Sequence, residues 1–232
     1  MISASQVRKK SNIIFSLYLM SAFLFIIVII SLSALFYFQK KKSDEELYKR
    51  TQESFVSNVD QKVTGIFDMV ISDLKIVSKH SEFTSFLDGG KNSNLDKLAN
   101  EFLEFSRFKG VYDQVRFLDE TGMEKIRINY SDGEPYVVAK EDLQYKGDRY
   151  YFYDAFTLEE NEIFISPFDL NIEGGKIEDP IKPMIRIATP IYHNGEKRGV
   201  LLVNYLGGDL LESIVVGIQD GIKVNFLNQD GY

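Results

Sequence analysis

An arginine followed by a run of aromatic side chains stands near the middle of the sequence, Arg149-Tyr150-Tyr151-Phe152-Tyr153-Asp154-Ala155-Phe156. A guanidinium is planar, permanently charged and shaped to grip a carboxylate or phosphate through parallel N–H donors. Set in an aromatic wall, Arg149 suits a small bound anion. The competing reading is that it caps a helix or pairs with Asp148 or Asp154 at the surface. Neighbours on a helix point about 100 degrees apart, so Tyr150, Tyr151 and Tyr153 cannot all face one pocket. Arg116, Arg127 and Arg186 lie in predicted strands among apolar residues, where a guanidinium needs an anion or carbonyl partner. Arg186, on the face of Met184 and Ala188, is the second expected ligand contact, and Asp169 in SPFDLN is a polar lid. An internal ion pair stands equally open for all three arginines.

Other chemistries find no support. The chain has no cysteine, which removes disulfides, thiol nucleophiles and thiolate metal sites together. His80 and His193 are the only histidines, and both are expected in solvent, so a histidine-rich metal site is excluded. Gly174-Gly175 lacks the Lys-Ser/Thr of a phosphate loop, and no Gly-x-Ser-x-Gly elbow is present. We therefore expect no catalytic residue, no metal and no cofactor. Residues 1 to 42 carry six basic side chains and no acid, leaving 21 basic and 34 acidic residues beyond them, a net of −13. So acidic a domain is a poor nucleic-acid partner, because that binding rests on phosphate neutralisation by Lys and Arg.

These residues need elements to hold them. Residues 13–38 run 26 positions without a charge, longer than the roughly 30 Å apolar core of a bilayer requires. The run ends in Phe36-Tyr37-Phe38 rather than small residues, which favours an uncleaved membrane helix over a signal peptide. Residues 1–12 read as a cytoplasmic tail, and the acids from Asp44 onward place the bulk on the exported side. Over 43–90 a long helix carries an apolar seam at Val56, Val59, Val63, Ile66, Val70, Leu74 and Val77, unbroken to Phe86. Its partner is a second copy, in a parallel homodimer, or the back of the downstream sheet, and the second helix face at Phe67, Ile71 and Ile76 suggests that both are used in different parts.

A shorter helix with Leu95, Leu98, Phe102 and Phe105 on one side follows, packed on the long one. Then the period changes to alternation. Strands are expected at 112–119, 123–130, 162–168, 184–193 and 200–205, with Asp132-Gly133 and Pro135 ending the first hairpin and a helical tendency over 140–156. The class is α+β: a membrane helix, a long helix and a five-stranded antiparallel sheet. Residues 209–218 suggest a helix leading away, and 208–232 read as a linker and the start of a second, truncated module.

Four runs, YDQVRFLDETG, LQYKGDRYYFYDAF, ISPFDLNIEGGKIEDPIKPMIRIATPI and KRGVLLVNYLG, together resemble the extracytoplasmic double Cache (PAS-like) sensor regions of bacterial membrane histidine kinases and diguanylate cyclases. The likeness covers about Leu47 to Tyr232 and implies a membrane-distal sensor domain over 91–207. In amino-acid-binding members of that wider family an Arg-x-Trp-Tyr-x-x-Ala pattern holds the ligand carboxylate and a later Asp its ammonium. Here Arg149, Tyr151, Phe152 and Ala155 fall on the pattern, and Asn204 falls where the Asp would be. Phe152 loses a hydroxyl donor and Asn204 a charge, so the resemblance implies a carboxylate-bearing or neutral ligand rather than a free amino acid. The implied ligand residues are Arg149, Tyr151, Phe152, Asp169, Arg186 and Asn204.

The expected function is that of an anchored sensor in which a small molecule bound in the distal pocket shifts the long helix and so a cytoplasmic output. A ligand-free structural dimer, or an anchored exported hydrolase, are the alternatives. An inner-membrane location with the sensor periplasmic or extracellular goes with the first.

Overall fold

The computed structural model describes residues 4–89, 92–173, 176–179 and 181–215. Residues 1–60 form one compact unit and 61–232 another, and helix α1 (Ala4–Ser78) contributes to both. In the first unit every residue from Asn12 to Arg50 is exposed, including the whole apolar run 13–38. A row of Ile, Leu and Phe with no protein over it has the length and composition to cross a membrane.

In the second unit, Val70, Leu74 and Val77 of the seam are buried, whereas Val63 and Ile66 are half-buried. The seam does not run on unbroken. Helix α1 stops at Ser78, His80 takes an extended backbone, and α2 (Ser81–Leu87) starts afresh. The break turns Phe83 into the core, where it stacks on Phe102 and meets Phe117 edge-on. Helix α3 (Asn92–Lys109) brings Leu98 and Phe102 onto the same core, and Lys109 Nζ ties it to Asp73 of α1 at 2.7 Å.

The sheet is antiparallel throughout. Its strands are β1 (Tyr112–Asp119), β2 (Glu124–Ser131), β3 (Glu134–Val137), β4 (Phe164–Ile165), β5 (Asp169–Leu170), β8 (Pro183–His193) and β9 (Glu196–Leu206). They run in the order β3-β2-β1-β9-β8-β4, with β5 also on β8; β6 (Ile172–Glu173) and β7 (Lys176–Ile177) pair apart. The expected class holds, with seven strands rather than five.

The count differs for physical reasons. Asp132 and Gly133, both at positive φ, make a tight two-residue turn instead of a break. Pro135 is tolerated because β3 lies at the sheet edge, where a missing N–H costs no ladder bond. The strand expected over 162–168 shrinks to β4, and residues 166–168 separate it from β5, which lies just beyond the expected run. Asn194 and Gly195 form the same kind of turn between the long strands β8 and β9. Gly199 lets β9 pass β1, since a Cβ there would stand 2.0 Å from the Leu118 carbonyl oxygen. Helical character over 140–156 resolves into a 3-10 turn (Lys140–Asp142) and α4 (Tyr150–Thr157), and α5 (Gly207–Val215) follows β9 directly. The excursion around Gly174-Gly175 and Pro180, and the start of a second module after Val215, fall outside the described residues.

Alternation gives the sheet two characters. One face presents Val115, Phe117, Leu201 and Val203 to the helices, and Tyr112 reaches across to stack on Phe105 and donate to Asp73. The other face presents Gln114, Arg116, Leu118, Leu202, Asn204, Arg186 and Ala188. Helix α4 covers part of it, with Tyr151, Phe152 and Ala155 packed against Leu118, Ala188, Val200 and Leu202.

Candidate functional site

Helix α4 begins where Arg149, in an extended conformation, accepts backbone N–H bonds from Phe152 and Tyr153 through its carbonyl. The side chain makes no capping hydrogen bond, since a guanidinium has no acceptor to offer the free N–H groups of the first turn. Tyr151, on the inward side of the first turn, is 3% exposed, and three guanidiniums approach its ring. Their central carbons lie 5.5 Å (Arg116), 5.9 Å (Arg149) and 5.2 Å (Arg186) from the ring centre. Arg116 and Arg186 come from strands β1 and β8, and Arg149 from the helix start.

The three differ in how their charge is met. Arg116 donates to Asn204 Oδ1 at 2.8 Å and lies 3.5 Å from Glu124 Oε1, a carboxylate it shares with Arg127. Glu124 is 1% exposed, and its other oxygen accepts from Arg127 and from the Gln144 backbone N–H. Arg186 pairs with Asp169 and donates to Asn171 Oδ1 at 3.1 Å. Arg149 has no hydrogen-bond or ion-pair partner for its guanidinium among the described residues. The Nε–H groups of Arg116 and Arg186 are also buried without an acceptor. Buried unfilled donors beside the half-buried, unpaired Arg149 favour an anion, because burying a donor without a partner costs free energy.

Polar groups continue outward from Arg186. Tyr150 donates to Asp169 at 2.7 Å; burial, then that hydrogen bond, push its phenol above the usual value and keep it a donor. Asn171 bonds Glu178, which pairs with Lys182, and Lys182 reaches Asp113 at 3.5 Å. Burial raises the Asp113 carboxyl despite Lys182 beside it.

Of the residues expected at a site, Arg149, Tyr151 and Arg186 come together, and Asp169 joins them through Arg186. Asn204 joins through Arg116, its amide donating to Gln114 at 3.1 Å. Phe152 sits in the apolar cluster, stacked on Phe156. Neither histidine is free in solvent as expected: His193 Nε2 lies 2.7 Å from Asp88, and His80 Nε2 lies 3.6 Å from Glu101. Sequence reasoning passed over Glu124, Asn171 and Gln114. A cavity of about 450 Å³ opens between α3 and the β2–β3 end; Glu124 lines it together with Leu95, Ala99, Ile126, Val137 and Leu143, but no guanidinium does.

A family model described as the bacterial histidine kinase sensor domain matches residues 58–232. No curated protein matches the sequence. Among solved structures, a domain of a sensory box/GGDEF family protein from Vibrio parahaemolyticus is 27% identical with a TM-score of 0.63. The match covers 69% of this chain and 60% of that one. The extracellular domain of the histidine kinase vpHK1S-Z8 is also 27% identical, TM-score 0.62, covering 69% and 57%. The Campylobacter jejuni chemoreceptor Tlp3 ligand-binding domain, solved with 4-methylisoleucine, shares the fold at 15% identity and a TM-score of 0.57, covering 73% and 62%. The chain spans about 60% of the length of these domains.

Proposed function

Because the chain belongs to the bacterial histidine kinase sensor-domain family, we propose that its second compact unit is the ligand-binding module of a membrane-anchored receptor and that the ligand carries a carboxylate. The observation that supports this is the Tyr151 ring with three guanidiniums on it, of which Arg149 has no acid of its own. A structural neighbour solved in complex with 4-methylisoleucine, an amino acid, supports the use of this fold for small carboxylates. Arg149 serves as the anion anchor, Tyr151 as the wall, and Arg186, Asp169 and Asn204 line the approach, with Phe152 holding the helix in place behind them.

On this reading 91–207 is the membrane-distal sensor, 13–38 spans the inner membrane once with 1–12 in the cytoplasm, and 43–90 carries the signal. The receptor's output is of the histidine kinase or diguanylate cyclase type. Exposed Val56 and the half-buried Val59, Val63 and Ile66 of the seam fit a second copy of the chain, whereas Val70 onward is already covered. Signalling then requires that the ligand bind two arrangements of the long helix with different affinity.

The test is a panel of small carboxylates, with neutral analogues as controls, in thermal unfolding of the purified chain. A ligand at 100 times its dissociation constant adds about 2.7 kcal/mol. Arg149→Ala should abolish that gain while changing unliganded stability by no more than about 1 kcal/mol, as its guanidinium has only the Tyr151 ring to lose among the described residues. A variant that keeps the full ligand effect would remove Arg149 from the site.

A further inference from the structure

Arg186 is the best placed of the three guanidiniums to finish the grip on an anion begun by Arg149, yet its two terminal nitrogens are already taken. Nη1 pairs with Asp169 and Nη2 with Asn171. The two partners of that pair are unlike: the Arg186 side chain is 4% exposed and the Asp169 side chain 35%. Asp169 also stands on a short strand. β5 is two residues long and pairs only with the start of β8 in the sheet, Asp169 opposite Met184 and Leu170 opposite Pro183, with the Asn171 N–H donating to the Lys182 carbonyl just beyond it. The apolar side chains near it, Ile165, Phe168, Leu170 and Ile177, are each only about half covered, Phe168 by Gly207, so burial holds the segment less firmly than the central strands.

We propose that Asp169 is a built-in competitor: its carboxylate occupies Arg186 until a ligand carboxylate, anchored at Arg149, takes that place by exchange. This rests on the carboxylate site proposed above and adds how the site is regulated and what it selects. Exchange of one carboxylate for another on the same guanidinium conserves charge and hydrogen-bond type, so the step has little intrinsic cost. The displaced Asp169 moves only to solvent, which it already touches. Neutral molecules cannot drive the exchange, and a weakly held monoanion is discriminated against by the internal acid, so selectivity arises by competition as well as contact. Tyr150 sets the strength of the competitor, because its hydroxyl holds Asp169 Oδ2 in the paired position.

Trifluoroacetate, a minimal carboxylate with a fluorine reporter, provides the test, titrated by 19F NMR line broadening into the full chain in detergent micelles. Asp169→Asn keeps an acceptor for Tyr150 and Arg186 but removes the competing charge, and it should tighten trifluoroacetate binding about tenfold or more. Tyr150→Phe, which changes no charge and serves if the first variant folds poorly, should tighten it by a smaller factor. Arg149→Ala should abolish binding in either background. If binding still depends on Arg149 but Asp169→Asn and Tyr150→Phe leave it unchanged or weaken it, the exchange is wrong and the carboxylate site stands. If trifluoroacetate binds none of the proteins, or binds without regard to Arg149, the site reading falls and the exchange with it.

Discussion

Arg116 and Asn204 face one another across adjacent strands, Arg116 Nη2 donating to Asn204 Oδ1 at 2.8 Å. Both are buried, and the same amide donates to Gln114, its register partner on β1. The orientation of Asn204 is thereby fixed, with its oxygen already engaged by a cation.

This relationship changes what Asn204→Asp should do. By motif alone the substitution restores an ammonium-binding acid and moves preference toward amino acids. In the structure the new carboxylate would form an ion pair with Arg116 and have little charge left to offer a ligand. The expected outcome is no gain for any free amino acid across a calorimetric panel. A gain of tenfold or more would mean that Arg116 can release residue 204.

Glu124→Gln removes the carboxylate that Arg116 and Arg127 share and leaves two buried guanidiniums facing each other's charge. Losing one side of a buried pair costs about 3–5 kcal/mol. Urea unfolding should show that loss with an unchanged slope. Replacing all three by apolar residues of similar volume should recover much of it, as desolvating the trio is itself costly. An undiminished midpoint in Glu124→Gln would show that water enters this part of the core.

Acid should weaken the β1–β2 turn in a defined direction. Burial works against the Asp119 carboxylate, but hydrogen bonds from the Thr121 side chain, Lys125 and the Met123 and Thr121 backbone outweigh it and hold its carboxyl below the ordinary value. A depressed folded value means that the native state gives up its proton more readily than the unfolded one. The contribution is therefore fully present above the unfolded value of about 3.9 and is lost as pH falls through the lower folded value. Melting temperatures from pH 6 to pH 2.5 should drop less steeply below pH 4 in Asp119→Asn than in the parent. Parallel curves would remove Asp119 from the acid response.

Topology is open to a direct assay. Fusing alkaline phosphatase after Asp60 should give active enzyme, because that enzyme matures only outside the cytoplasm, and a β-galactosidase fusion at the same point should be inactive. The reverse pattern would place the second compact unit in the cytoplasm.

Much of the architecture was legible because it follows from local pattern. The uninterrupted apolar run 13–38, the three-and-four spacing from Val56 to Val77 and the alternation in β1, β8 and β9 each depend on a residue and its near neighbours. Asn194-Gly195 announced its hairpin because few dipeptides accept two positive φ angles. Asp132-Gly133 carried the same signal, and it was discounted because Pro135 follows. Whether a proline ends a strand or merely marks an edge depends on which strand lies beside it, and that is a property of the sheet.

The sequence by itself determined the fold class, the long apolar helix over 13–38 and the grouping of Arg149 with Tyr151, which lie within one turn of each other. Only the tertiary structure decided which charges meet. Strict alternation would put Glu124 on the face of Ile126 and Ile128, away from Arg127. A bulge between the Phe117–Ile126 and Leu118–Glu124 pairs shifts β2 by one residue and turns Glu124 toward Arg116 and Arg127. Asp169 meets Arg186 only because β5 docks at the start of β8, 17 residues along the chain. Pairing energies depend on distance and burial, which are set by strand register and not by residue type, so the division between Arg149, unpaired among the described residues, and Arg116, Arg127 and Arg186, which meet carboxylates, appears only in the folded chain.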